Sequence, residues 1–175
     1  SLDLPKVQQA LMEKVVEAAA GKPVVLVLMS GSALSVGWAD RNVPAIVQAW
    51  YPGEAAGTAV ADVLFGNVSP GGRLPVTFYR SVADLPPFED YSMKGRTYRY
   101  FPGEPLYPFG HGLSYGRFSY ARLSVPRKAA AGAPVAVSVE VRNDGVMAAD
   151  EVVQLYVTDR EASAPVPLRS LKGFR

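Results

Sequence analysis

Val24-Val25-Leu26-Val27-Leu28-Met29 is an unbroken apolar run rich in β-branched residues, the composition of a strand buried on both faces, as in a parallel sheet. Upstream, Gly21-Lys22-Pro23 separates it from a segment in which Leu4, Val7, Leu11, Val15 and Ala18 recur at helical spacing, with Lys14 intruding. Asp3 is placed to cap that helix, and Pro5 suits its first turn because the missing N–H has no helical partner there. Downstream the same logic returns. Ala45 to Tyr51 reads as a strand, Pro52-Gly53 breaks it, and Glu54 opens a helix with Ala56, Ala59, Val60, Val63 and Leu64 on one face. Gly66 stands where a left-handed stop residue belongs. Pro70-Gly71-Gly72 is a turn, and Leu74 to Tyr79 reads as a further strand. Alternating strand and helix predicts the α/β class, here a partial parallel-sheet α/β sandwich with right-handed crossovers. Residues 1–80 read as the second half of such a domain.

Residues 81–116 have little periodicity and much Pro, Gly and Tyr, which is too long for a simple loop. Their aromatics predict a connector pinned across a surface. Residues 117–175 change period. Val135, Val137, Val139 and Val141 alternate with Ala136, Ser138, Glu140 and Arg142, Asn143-Asp144-Gly145 is turn chemistry, and Val153, Leu155 and Val157 alternate again. With Phe118 to Val125 as an earlier strand, this predicts a partial antiparallel β-sandwich, incomplete because a seven-stranded sandwich takes roughly 100 residues. The chain opens at Ser1-Leu2-Asp3-Leu4-Pro5 and stops just after Leu171-Lys172-Gly173-Phe174, which reads as the start of a strand. It is therefore read as a piece of a longer polypeptide.

Hydrophobic residues at 49% and charged residues at 19% describe a globular chain, and the longest apolar run is far too short to span a bilayer. With a net charge of +2 and no Lys/Arg block, neither nucleic acid nor membrane is an expected partner. The absence of cysteine removes disulfides, thiol nucleophiles and thiolate metal sites, and leaves the compartment open.

Among the carboxylates, Glu54 falls at the carboxyl edge of the sheet, where open α/β folds bind ligands, but an acid in a first helical turn also simply complements the helix dipole. Asp62 reads as a solvated acid on the flank of the same helix, Asp84, Glu89 and Asp90 read as loop acids around Pro86-Pro87, and no pair is placed to flank a glycosidic bond. His111, the sole histidine, has no identifiable metal-binding or triad partners. Ser30-Gly31-Ser32 follows the first strand and faces the same edge as Glu54. Trp38, Trp50, Tyr98 and Tyr100 suit either sugar stacking or packing. Neither Met29 nor Tyr51 is followed by a phosphate-cradling turn, which counts against a flavodoxin-like nucleotide binder. No cofactor or metal is expected.

Six motifs stand in order: Asp3-Leu4-Pro5 before a helix, Gly21-Lys22-Pro23-Val24-Val25, Ala49-Trp50-Tyr51-Pro52-Gly53, Ala61-Asp62-Val63-Leu64-Phe65-Gly66, Pro70-Gly71-Gly72-Arg73-Leu74-Pro75 and Tyr107-Pro108-Phe109-Gly110-His111-Gly112-Leu113-Ser114-Tyr115. The series resembles glycoside hydrolase family 3, from the middle of its α/β-sandwich domain into its fibronectin-type-III-like domain. Gly95-Arg96-Thr97-Tyr98-Arg99-Tyr100-Phe101 is more similar to the β-xylosidase-like branch than to the common β-glucosidases. The resemblance implies a retaining exo-β-glycosidase acting on terminal β-D-xylosyl or β-D-glucosyl residues of an oligosaccharide or aryl glycoside. It also implies a nucleophilic Asp in an amino-terminal barrel domain and an acid/base Glu just before the Leu2-Asp3-Leu4-Pro5 segment. No residue here inherits either catalytic role. Ser30, Ser32, Arg96 and Tyr98 are the residues expected to line the leaving-group side. The barrel is the expected partner, in cis or as a separate chain, and a periplasmic or secreted location fits the resemblance. The competing reading is a non-catalytic carbohydrate-binding or scaffold module.

Overall fold

The computed structural model describes residues 2–175. Helix α1, Lys6–Ala18, starts one residue after Pro5, which occupies the N-cap position in place of Asp3. Asp3 instead forms a parallel bridge with Ser35. The helix ends where Ala20 and Gly21 adopt positive φ. Strand β1, Val25–Leu28, pairs in parallel with β2, Ala45–Gln48, in the register Val25↔Ala45 to Leu28↔Gln48. The crossover between them contains a short helix, α2, Gly37–Asn42, for which the sequence carries no periodic signal. Helix α3, Ala56–Leu64, follows, and Gly66 at φ +76° stops it as expected. The core gathers Met12, Leu28, Val36, Ala39, Val43, Phe78 and Leu106.

Three further expectations for this region need correction. First, α1 turns Met12 inward with Val16 partly buried behind it, whereas Val7 and Leu11 are 79% and 63% exposed. The apolar stripe read from the sequence thus lies about 100° around the helix from the face that packs. Second, β1 is not buried on both faces, for Val25 remains 45% exposed. Among the described residues its one strand partner is β2, and the exposed end is the first residue of the strand. Third, residues 74–79 do not extend the parallel sheet. They run as an extended clip against the connector, whose backbone supplies nearer partners. The Leu74 N–H donates to the His111 carbonyl, Gly110 N–H to that of Leu74, Phe78 N–H to that of Tyr107, and Leu106 N–H to that of Phe78, all within 2.9 Å. Phe78 is thereby buried in the core.

The connector holds a single helical turn, α4, Thr97–Tyr100. Beyond it, β3, Phe118–Ser124, pairs antiparallel with β4, Ser138–Asn143, with a bulge near Arg122 at φ +53°. Strand β5, Gln154–Val157, pairs antiparallel with β6, Ser170–Phe174. Val139 and Val141 are half-buried and alternate with exposed Glu140 and Arg142, as the period requires. In β5 the expected face is reversed, with Leu155 and Val157 outward and Gln154 and Tyr156 inward. The polar residues turn in because both find partners there: Gln154 Nε2 donates to the Gly110 carbonyl at 3.0 Å, and Tyr156 Oη donates to Gln154 Oε1 at 2.6 Å.

Candidate functional site

Ser30 and Ser32 lie beyond the carboxyl end of β1, as expected, and are joined by a bond from Ser30 Oγ to the Ser32 carbonyl at 2.9 Å. Gln48, the last residue of β2, donates to Ser30 Oγ at 3.2 Å, while its own Oε1 is buried without a protein partner. Gln48 escaped the sequence reading; its signal was an amide closing an otherwise apolar strand. A Cβ on Gly31 would stand 2.6 Å from the Tyr51 ring, so only glycine lets that ring lie over the loop.

A second line of bonds runs from the amino-terminal segment to the connector. Ser35 N–H donates to the Leu2 carbonyl at 2.8 Å, Ser35 Oγ makes a long 3.5 Å bond to the Tyr79 carbonyl, and Thr97 N–H donates to Tyr79 Oη at 2.8 Å. Arg96 and Tyr98 flank Thr97 and serve different ends. The Arg96 guanidinium bonds the carbonyls of Ser92, Pro87 and Asp90. Asp90 accepts from Ser92 N–H at 2.8 Å, and that bond, chiefly, holds its carboxyl below the usual range. Tyr98 stacks on Phe109 at 4.3 Å, meets Tyr156 edge-on, and its Oη accepts from Leu171 N–H. The geometry therefore joins Ser30 to Ser32, but commits Arg96 to its own loop and Tyr98 to the β-region.

Two clefts accompany these elements. The larger, about 630 Å³, lies along β2 and is lined by Gln48, Trp50 and Tyr107 among others, with Asp40 its one carboxylate. Tyr107 Oη donates to that carboxylate at 2.7 Å, and burial together with this bond raises the phenol's pKa. The smaller, about 450 Å³, lies where the connector meets β5, and its one carboxylate is Glu151. Arg73 pairs with Glu151 at 2.6 Å, and Tyr120 Oη donates to its other oxygen at 2.5 Å. Burial first, then that bond, pushes Tyr120 up to about 12. His111 stacks on Tyr107 at 5.2 Å, and burial, followed by the nearby Arg73 charge, lowers its pKa. Glu54 is exposed and lines neither cleft. None of Ser30, Ser32, Arg96 and Tyr98 lines either one. Among the described residues no cluster of three or more His, Asp or Glu side chains is placed to hold a metal ion.

The profile of the glycosyl hydrolase family 3 C-terminal domain matches residues 1–115. The chain belongs to glycosyl hydrolase family 3. Family 3 relatives match almost its full length. It is 49% identical over 174 residues to a xylan 1,4-beta-xylosidase of Xylanibacter ruminicola, covering 99% of this chain and 20% of that protein. It is 40% identical to the periplasmic beta-glucosidase of Salmonella typhimurium, covering 24% of it. Among solved structures, beta-glucosidase 3B of Thermotoga neapolitana bound to alpha-D-glucose superposes with a TM-score of 0.89 at 33% identity, over 99% of this chain and 26% of that one. A beta-glucosidase of Erythrobacter marinus superposes with a TM-score of 0.83 at 43% identity, over 99% of this chain and 23% of that one. The chain thus spans about a fifth to a quarter of the length of these family 3 proteins.

Proposed function

We propose that this chain is the supporting wall of a retaining exo-β-glycosidase that hydrolyses terminal β-D-xylosyl or β-D-glucosyl residues. The observation that carries this reading is the match along 99% of the chain to a family 3 xylosidase at 49% identity. Geometry supports the division of labour. Retaining hydrolysis uses two carboxyl groups roughly 5 Å apart on either side of the scissile bond. Each of the two clefts holds one, bonded by Tyr107 in the first and by Arg73 and Tyr120 in the second.

In the intact enzyme a barrel, in cis or as a separate chain, supplies the nucleophilic Asp, which attacks the anomeric carbon. A Glu preceding Leu2 protonates the leaving oxygen and then activates water. The chain's own part is positional. The Ser35–Leu2 bond and the Asp3–Ser35 bridge hold the segment that follows the proposed acid/base. Ser30 and Ser32 offer hydroxyls at the same sheet edge, Arg96 shapes the neighbouring loop, and Tyr98 fixes that loop to the β-region. This reading takes residues 1–80 as half of the α/β domain, 81–116 as the connector and 117–175 as the fibronectin-type-III-like part. Purified chain alone is expected to show no turnover of 4-nitrophenyl β-xyloside or β-glucoside, and the intact enzyme to hydrolyse at least one. Sustained hydrolysis by the chain alone would overturn the wall role. Saturable binding of xylo- or cello-oligosaccharides by the chain alone would favour a carbohydrate-binding module instead.

A further inference from the structure

His111 stands in a seam where all three parts of the chain meet. Its carbonyl accepts from Leu74 N–H, and Gly110 N–H donates to the Leu74 carbonyl, both at 2.8 Å, which ties the connector to residues 70–74. From the β-region, Gln154 Nε2 donates to the Gly110 carbonyl at 3.0 Å. The flanking glycines leave no slack. A Cβ at Gly110 would strike the Gln154 amide and the Tyr156 hydroxyl, and one at Gly112 the Gly72 carbonyl and the Arg73 side chain. His111 and Arg73 form a wall common to both clefts.

The charges around this histidine are already matched. In the larger cleft Asp40 of α2 accepts from Tyr107 Oη, on whose ring His111 stacks, and Tyr115 is the remaining titratable group. In the smaller cleft Glu151 has one oxygen on Arg73 and the other on Tyr120, while Tyr156 carries Arg169 over its ring. Asp150 abuts Gly71 but lines neither cleft. A proton on His111 therefore adds a cation to a cleft that already holds Arg73 and Arg169, with its one carboxylate engaged on both oxygens. Any pairing of that cation with Glu151 has to displace Arg73 or Tyr120, and Arg73–Glu151 is an ion pair that joins the two regions.

We propose that His111 is an acid-sensitive catch: neutral, it lets residues 70–74, 108–112 and 150–156 close on one another, and protonated, it opens that seam while α1 and the parallel sheet stay folded. Burial, then the Arg73 charge, lowers its pKa from the ordinary 6.5, so the closed seam favours the neutral ring. An imidazole released into water regains its ordinary affinity for the proton. Closure is therefore complete above pH 6.5 and weakens as pH falls toward the folded value. The catch is built from this chain's own residues and operates whatever reaction the intact protein catalyses.

The test is amide hydrogen exchange read by mass spectrometry on the intact protein at pH 7.5 and pH 5.0, each corrected for the intrinsic exchange rate. Wild type is compared with His111→Phe, which keeps a ring against Tyr107 but takes no proton, and with His111→Asn, which keeps neither ring nor charge. Wild-type peptides covering 70–75, 108–113 and 151–156 are expected to exchange roughly 3- to 10-fold faster at pH 5.0, the scale of one protonation linked to a local opening. Peptides of α1 and β1 are expected to hold their protection, and His111→Phe to show no acceleration at the seam. Unchanged protection of the wild-type seam overturns the catch, as does the same acceleration in both variants or one spread evenly over α1 and β1. Two variants already open at pH 7.5 would assign closure to the packing of the imidazole instead of its charge, and overturn it too.

Discussion

His111 illustrates how much one residue's surroundings decide. Between two glycines it has no sequence partner for a triad or a metal, and the structure gives it a ring neighbour, Tyr107, and a charge neighbour, Arg73. Because its folded pKa lies below the ordinary 6.5, the neutral form is the one the fold favours. Its contribution to stability is complete above pH 6.5 and is lost as pH falls toward the folded value, since the unfolded chain binds the proton first. His111→Asn should therefore flatten the acid limb. Urea unfolding at pH 7 and pH 5.5 is expected to show a larger loss for wild type than for the variant, and an equal or larger loss in the variant would contradict this. Gly110 beside it adopts φ +81°, a conformation that suits glycine. What the sequence hid is that a Cβ there would strike Gln154, a partner 44 positions away.

At the scale of elements, periodicity gave the existence of α1, β1, β2, α3 and the strands after residue 117, because each carries several apolar positions at its own period. It was silent on rotation. Helix α1 has apolar residues on two sides, Val7, Leu11 and Val15 on one and Met12 and Val16 on the other, so spacing alone cannot say which packs. Strand β5 turns its polar residues inward for the same kind of reason, since Gln154 and Tyr156 find partners that only the folded connector supplies. Helix α2 was missed because six residues are too few to show a period. The rotation of α1 is testable. Met12→Ala should cost this chain about 2–3 kcal/mol, as truncation of a buried side chain does, whereas Leu11→Ala should cost under about 0.5 kcal/mol. Urea midpoints of the two variants would decide, and the reverse ranking would mean that the other face packs.

For the molecule as a whole, the strongest polar link between its two regions is the pair Arg73–Glu151, whose side chains are only 12% and 18% exposed. Breaking a buried pair from one side leaves a charge without compensation, so Glu151→Gln is expected to destabilise by about 2–3 kcal/mol. Replacing both partners by Met and Leu should cost less than the two single changes added together. A double-mutant cycle by thermal unfolding checks this, and additive effects would show that the pair carries no coupling. Tyr115 Oη to the Val63 carbonyl at 2.7 Å ties the connector to the first region, and Leu168 N–H to the Arg99 carbonyl at 2.6 Å ties it to the second. None of these links was legible, because no local pattern joins residue 73 to residue 151. The six ordered motifs were legible, and they placed the chain in its family although the residues themselves specified no reaction.

The closeness of Gly110 to Gln154 has a historical corollary. The constraint runs one way: a shorter residue at the second position relieves nothing that the first must answer, whereas any side chain at the first meets the Gln154 amide and must also adopt φ +81°. Through the lineage, position 154 should therefore vary while position 110 stays glycine.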